Sequence, residues 1–181
     1  MNIAHQNSLD PLSIAESLAE QFAQTAAQRD KQGGNPKKER DLIRQSGLLS
    51  LSIPKEFGGQ GADWATIFAT IQSIARADSS LAHVYAFHHL LIATVKLFAQ
   101  PQQYAPWFEK TVQENLFWGN TLNPLDRRVT ATKINENEYI FHGDKSFCSG
   151  SIDSDMLLCS AYNPEGKLLI AVIPTQREGV S

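Results

Sequence analysis

Only two of the 181 residues are cysteines, Cys148 and Cys159, which is too few for a disulfide framework. Free thiols in a reducing cytoplasm are the expectation. Excess positive charge is missing as well. Sixteen Lys and Arg face nineteen Asp and Glu, for a net charge of −3, and that excludes a polyanion-binding surface of the usual kind, so no nucleic-acid partner is expected. The one basic cluster, Lys37, Lys38 and Arg40, reads as the solvated start of a helix. No apolar run reaches the length needed to cross a bilayer, so no membrane partner is expected either. The opening MNIAHQNSLD lacks a basic stretch followed by an apolar one, the pattern of a secretory signal. Repeats, low-complexity tracts and closely spaced His/Cys/Asp/Glu sets of the metal-binding type are also missing, so no metal is expected. What is present is a globular composition, 42% hydrophobic and 19% charged, in a chain long enough for one good core or two small ones.

The first 114 residues carry helical periodicity. Ile14, Leu18 and Phe22 form a stripe in a helix expected over 11–31, with Ser13 and Glu16 as a capping box and Gly33-Gly34 as its end. A second helix starts at Asn35-Pro36 and stops near Gly47. The glycine-rich FGGQG, 57–61, reads as a loop. Asp63 caps a third helix, and a fourth follows Asp78 through LAHVYAFHHLLIATVKLFA, apolar nearly all round. Pro101 opens a fifth, disturbed at Pro106. From about Asn115 the texture changes. VTATKI and EYIFHG flank Asn135-Glu136-Asn137, and MLLCSAY and LLIAVIP flank Asn163-Pro164-Glu165-Gly166, two hairpin signals. The expected fold is therefore α+β: an all-α helical bundle over 1–114, followed at 115–181 by the first part of an antiparallel β-barrel or sandwich. Four or five strands leave edges unpaired, so the sequence reads as the front part of a larger design, without a C-terminal helical domain.

Three features bear on chemistry. Cys148, in GDKSFCSGSIDSD (143–155), could be a nucleophile, a metal ligand, half of a disulfide or a small packed residue; it has no partner base nearby, and packing is the reading preferred. His83, His88 and His89 lie on the apolar fourth helix, where the ordinary role is a packed ring with a hydrogen bond, and adjacent His88 and His89 point about 100° apart. The turn FWGNTLNPLD (117–126) offers side-chain amides and backbone N–H groups that suit a planar polar ligand or an exposed connection equally.

Taken in order, these segments resemble the acyl-CoA dehydrogenase superfamily: a helical front, FGGQG before a helix, a turn into strands, and Gly143-Asp144-Lys145-Ser146-Phe147-Cys148-Ser149 in place of its flavin-facing Lys-x-Trp-x-Thr/Ser element. In place of the loop that contacts acyl-CoA stands NTLNPLD, which keeps only Pro124 and Asp126. Four motifs in order, RDKQGG (29–34), GADW (61–64), FWGN (117–120) and KSFCSG with Ser154-Asp155, are similar to the dibenzothiophene and sulfone monooxygenase branch. That resemblance implies reduced FMN delivered by a separate reductase, with FAD as the alternative. It also implies transfer of one oxygen atom from a flavin hydroperoxide to a small organosulfur substrate, and a homo-oligomer, a tetramer in the family. His88, Asn120 and Ser149 are implied as catalytic, and Asn120, Thr121, Asn123, Phe147 and Ser149 as flavin-binding. On a strand through position 148, Phe147 and Ser149 would share the flavin face and Cys148 would point away. An FAD-dependent acyl-CoA dehydrogenase and a non-catalytic fragment are the alternatives.

Overall fold

A computed structural model describes residues 10–136 and 138–181. Helix α1 spans Pro11–Ala23 and buries Ala15, Leu18 and Phe22. Its cap is Asp10, outside the expected Ser13–Glu16 box, and Asp10 Oδ2 accepts the Ser13 N–H at 3.2 Å. The single helix expected over 11–31 is two. Thr25 sits at φ −127°, outside the helical region, and α2, Ala26–Gln32, follows it. This break directs Arg29 onto Glu39 at 3.1 Å and Asp78 at 2.6 Å.

Helix α3, Lys37–Gln45, starts at Pro36 as expected, but its basic cluster is not all solvated. Arg40 is only 2% exposed. Two short 3-10 turns, Leu48–Ser50 and Lys55–Phe57, lead into FGGQG, and Leu48, Leu49, Leu51 and Ile53 of this stretch are buried. Helices α4, Trp64–Ala77, and α5, Ser79–Phe98, begin at the two aspartates expected to cap them. Asp63 Oδ1 accepts the Thr66 N–H at 2.8 Å, and Asp78 Oδ1 accepts the Leu81 N–H at 2.9 Å. Each such cap contributes about 1 kcal/mol. Helix α6, Pro101–Glu114, runs through Pro106 without interruption.

The expectation that no segment could span a bilayer needs correction. By length, 20 residues, and mean hydropathy, 1.3, α5 is long and apolar enough. Its composition is explained by packing, because Leu81, Ala82, Tyr85, Leu91, Ile92 and Val95 are all buried in the protein.

Five strands form one sheet: β1 Trp118–Thr121, β2 Thr130–Asn135, β3 Glu138–His142, β4 Met156–Tyr162 and β5 Leu168–Pro174. The pairs β2–β3 and β4–β5 are antiparallel, as the hairpin signals imply. The first hairpin signal includes Asn137, which lies outside the described residues. The sheet as a whole is mixed and is not closed into a barrel. Strand β1 runs parallel to β4, Trp118 opposite Met156 through Thr121 opposite Cys159. The long excursion between them, through the β2–β3 hairpin, lets the chain re-enter in the same direction. One core cluster joins Leu91, Ile92 and Val95 of α5 and Tyr104 and Phe108 of α6 to Trp118, Met156 and Leu158 of the sheet. The α+β expectation stands, and the helical and stranded parts share this core.

Candidate active site

The predicted strand through Cys148 does not form. Residues 143–150 are a loop between β3 and a short 3-10 turn at Ser151–Asp153. Phe147 adopts φ +58° and is 92% exposed, so it shares no strand face with Ser149. Gly143 and Gly150, at φ +130° and +77°, bound the loop. Alternation in KSFCS imitates a strand, but glycines at left-handed φ on both sides divert the backbone. Lys145 anchors the loop on its neighbour: its Nζ donates to the carbonyls of Asn123 at 3.1 Å and Asp126 at 2.7 Å and to Ser160 Oγ at 3.2 Å. Arg128 pairs with Asp126 at 2.7 Å and holds that carboxyl well below the usual carboxylate range. Burial pushes the Cys148 thiol above its ordinary value, which suits a packed side chain better than a nucleophile.

Ser149 is turned toward α5. Its Oγ lies 2.9 Å from His83 Nε2, and its carbonyl accepts the Asn120 N–H at 3.0 Å. His83 is exposed, and its ring packs on Phe87 one turn along, with centroids 4.7 Å apart. A hydroxyl, an imidazole and the end of β1 thus meet at the protein surface. The approach is close: a methyl group added at Gly119 would sit 2.7 Å from Ser154 Oγ, so glycine is required there.

His88 is elsewhere. It is fully buried, Nδ1 accepts the Trp118 N–H at 3.2 Å, and Nε2 lies 2.8 Å from the Leu49 carbonyl. Accepting at Nδ1 places the ring hydrogen on Nε2, so both nitrogens are used internally. Burial pushes its pKa down to about 4, against a hydrogen bond to Leu49 that raises it. The placement corrects the expectation that His88 faces a substrate: it ties α5 to β1 and to the 48–50 turn. His89 is also buried, with Nδ1 2.8 Å from Ser52 Oγ, and burial holds its pKa well below the ordinary value. The sequence reading gave His83 the ordinary role of a packed ring and did not place it with Ser149. A usable signal was present, because His83 and Phe87 lie one turn apart while Leu81, Tyr85 and His88 follow the buried face.

Three implied flavin residues are occupied in holding their own turn. Asn120 Oδ1 accepts the Leu122 N–H at 3.1 Å, and Thr121 Oγ1 donates to the Leu158 carbonyl at 2.9 Å. Asn123 Oδ1 accepts the Leu125 N–H at 3.1 Å, and its own N–H donates to Ser160 Oγ at 3.1 Å. All three remain half-buried at the surface. Two hollows, of about 580 and 640 Å³, lie along Arg29–Glu39 and between α4 and the end of α5, and neither is lined by Asn120, Phe147 or Ser149. Among the described residues no set of three metal-ligating side chains converges.

Residues 12–115 match the acyl-CoA dehydrogenase N-terminal domain. The chain belongs to that family. Among relatives of known sequence, it is 58% identical over 172 residues to a probable FMNH2-dependent monooxygenase, SfnC, of Pseudomonas putida, covering 94% of this chain and 43% of the relative. Among solved structures it is similar to methanesulfinate monooxygenase MsuC from Pseudomonas fluorescens, with a TM-score of 0.90 and 53% identity over 94% of this chain and 44% of that one. Dibenzothiophene monooxygenase TdsC from Paenibacillus sp. A11-2 gives a TM-score of 0.88 and 45% identity, covering 93% and 44%. A further TdsC structure is FMN-bound. The chain spans less than half the length of these relatives. The His83–Ser149 contact therefore joins a helix of the matched acyl-CoA dehydrogenase segment to the strand-rich part beyond residue 115.

Proposed function

We propose that this chain is part of a flavin-dependent monooxygenase that uses reduced FMN and oxygen to oxidise a small organosulfur substrate. The observation that carries the reading is the exposed His83–Ser149 pair, 2.9 Å apart, beside Asn120. Likeness to FMNH2-dependent and organosulfur-oxidising relatives supports it. The residues present fit a planar ring with a polar edge. Phe147 holds an apolar ring in solvent from a strained backbone angle, close in sequence to a hydroxyl that already engages an imidazole. Phe147 would lie against the flavin, while Asn120, Thr121, Asn123 and Ser149 would meet its polar side.

When bound, reduced FMN supplies the electrons that activate oxygen. The chain's own part is to place neutral donors and exclude water. Ser149 Oγ and His83 Nε2 form one hydrogen-bonded unit, so a proton given up at the serine hydroxyl is replaceable from the imidazole. In this role His83 takes the place first given to His88. A separate flavin reductase, a homo-oligomer and a cytoplasmic location complete the proposal, and the cysteine content supports the last of these. A helical unit over 1–114 and a stranded unit over 115–181 complete the proposed organisation, supported by the change from helix to strand between Glu114 and Trp118.

The test supplies the protein as its gene encodes it with reduced FMN, labelled oxygen and either methanesulfinate, a sulfone or dibenzothiophene. One labelled atom per product molecule is the expected result. Oxidation of the FMN with no label in any of these compounds overturns the proposal, and bleaching of bound flavin by an acyl-CoA without oxygen replaces it with a dehydrogenase.

A further inference from the structure

We propose that Arg40, 110 residues before Gly150 in the sequence, is the positioning residue that sets Ser149 against His83. This inference rests on the functional reading above. Arg40 belongs to α3, yet its Nη1 donates to the carbonyl of Gly150 at 3.0 Å, 110 residues away. The side chain is 2% exposed, and its guanidinium lies 4.5 Å above the Phe117 ring. Nε is 3.3 Å from Asp153 Oδ2, an ion-pair distance without hydrogen-bond direction. Nη2 has no hydrogen-bond partner among the described residues. Burying a guanidinium with spare donors is unfavourable, and an apolar side chain of that volume is often as stable or more so. Stability alone therefore gives a poor account of an arginine at this position.

Geometry gives a better one. The Ser149–Gly150 link is gripped from three sides. Asn120 N–H holds the Ser149 carbonyl at 3.0 Å, His83 meets its hydroxyl at 2.9 Å, and Arg40 holds the Gly150 carbonyl. Gly150 sits at φ +77°, and a methyl group there would press on Val84 Cγ1 at 3.3 Å, so the turn lies flat on α5. Arg44, one helical turn along, takes the other end of the same turn, through Asp153 Oδ2 at 3.0 Å and Asp155 Oδ2 at 3.2 Å. Asp155 in turn accepts the Phe117 N–H at 2.7 Å, which ties β1 to the arrangement. Without Arg40 the Gly150 carbonyl loses its donor, and the Ser149–Gly150 link loses one of the three holds that set the hydroxyl against the imidazole.

The test compares Arg40→Met, Arg40→Lys, Ser149→Ala and the Arg40→Met/Ser149→Ala double variant, in the protein as its gene encodes it. The first readout needs no turnover: the ring 15N resonances of His83, which report its contact with Ser149. Arg40→Met is expected to move them to the positions seen in Ser149→Ala, and Arg40→Lys, which still reaches the carbonyl, to leave them near wild type. The second readout is oxygen transfer. In Arg40→Met kcat falls at least about tenfold with KM within about twofold, Arg40→Lys recovers most of it, and the double variant is no slower than Ser149→Ala. Unmoved His83 resonances in Arg40→Met, or losses that multiply in the double variant, overturn the inference. Should Arg40→Met not fold, Arg40→Gln, shorter and uncharged, is read in the same way. A wild-type protein that transfers no oxygen sinks the functional reading alone, and the resonance test still decides Arg40.

Discussion

One face of α5 ends its hydrogen bonds inside the protein, and the other carries them to the surface. On the inner face, His88 and His89 are fully buried and bonded to Leu49, Trp118 and Ser52. On the outer face, His83 is exposed and its ring nitrogen meets Ser149. The same side chain, five residues apart, is a cross-brace in one place and a candidate proton carrier in the other. What separates them is solvent. His88, buried with both nitrogens engaged, has nothing left to offer a ligand, whereas exposed His83, bonded to a single hydroxyl, keeps both reach and chemistry.

The sharpest way to break that contrast is to remove the brace. His88→Ala leaves the Trp118 N–H and the Leu49 carbonyl without their partner and opens a cavity, so stability falls by about 3–5 kcal/mol in urea unfolding. Unchanged unfolding would remove His88 from the core argument. Acid tests the same residue without mutation. His88 takes up a proton at its ordinary value of 6.5 when unfolded but only near pH 4 when folded. Between those values the unfolded state holds more protons, so the contribution of His88 declines as pH falls through 6.5 and is fully lost below about 4, where buried His89 and the paired aspartates continue the decline. The loss from His88 alone is about 3 kcal/mol. Unfolding free energy measured across that range should show the decline in wild type and in His83→Ala alike.

His83→Ala attacks the outer face. Oxygen transfer by the encoded protein should fall about 100-fold, while the unfolding free energy changes by less than about 0.5 kcal/mol. Turnover near wild type would return His83 to an ordinary surface residue. The smallest effect belongs to Phe147. Phe147→Gly relieves a left-handed backbone angle and buries nothing less, so stability should rise by about 0.5–1 kcal/mol. Under the proposed function the same change weakens FMN binding, measured by flavin fluorescence; equal affinity would take Phe147 out of the cofactor site.

Much of the fold was legible because the signals were local. Asp63 and Asp78 capped the helices they were expected to cap, Pro36 opened α3, and both hairpins paired where alternation met turn residues. The break at Thr25 was not legible, because it is settled by where Arg29 finds Glu39 and Asp78, far along the chain. The parallel pairing of β1 with β4 was hidden for the same reason. At the proposed site, motif order pointed to Asn120 and Ser149, which the fold brings into contact, but not to His83, which the fold sets against Ser149. Helix α5 is apolar nearly all round, and periodicity cannot choose a face when both faces look alike. The loop at 143–150 was misread because KSFCS alternates as a strand does, although Gly143 and Gly150 already marked its limits.

By itself, the sequence determined the α+β order, the helix starts, the hairpins and the family motifs, since each depends on residues within a turn or two of one another. Only the tertiary structure decided which histidine faces solvent, that Ser149 turns toward α5, and that an arginine of α3 reaches the turn beside it. Those contacts join residues 66 and 110 positions apart, and distances across the fold are set by how the helices and the sheet share one core.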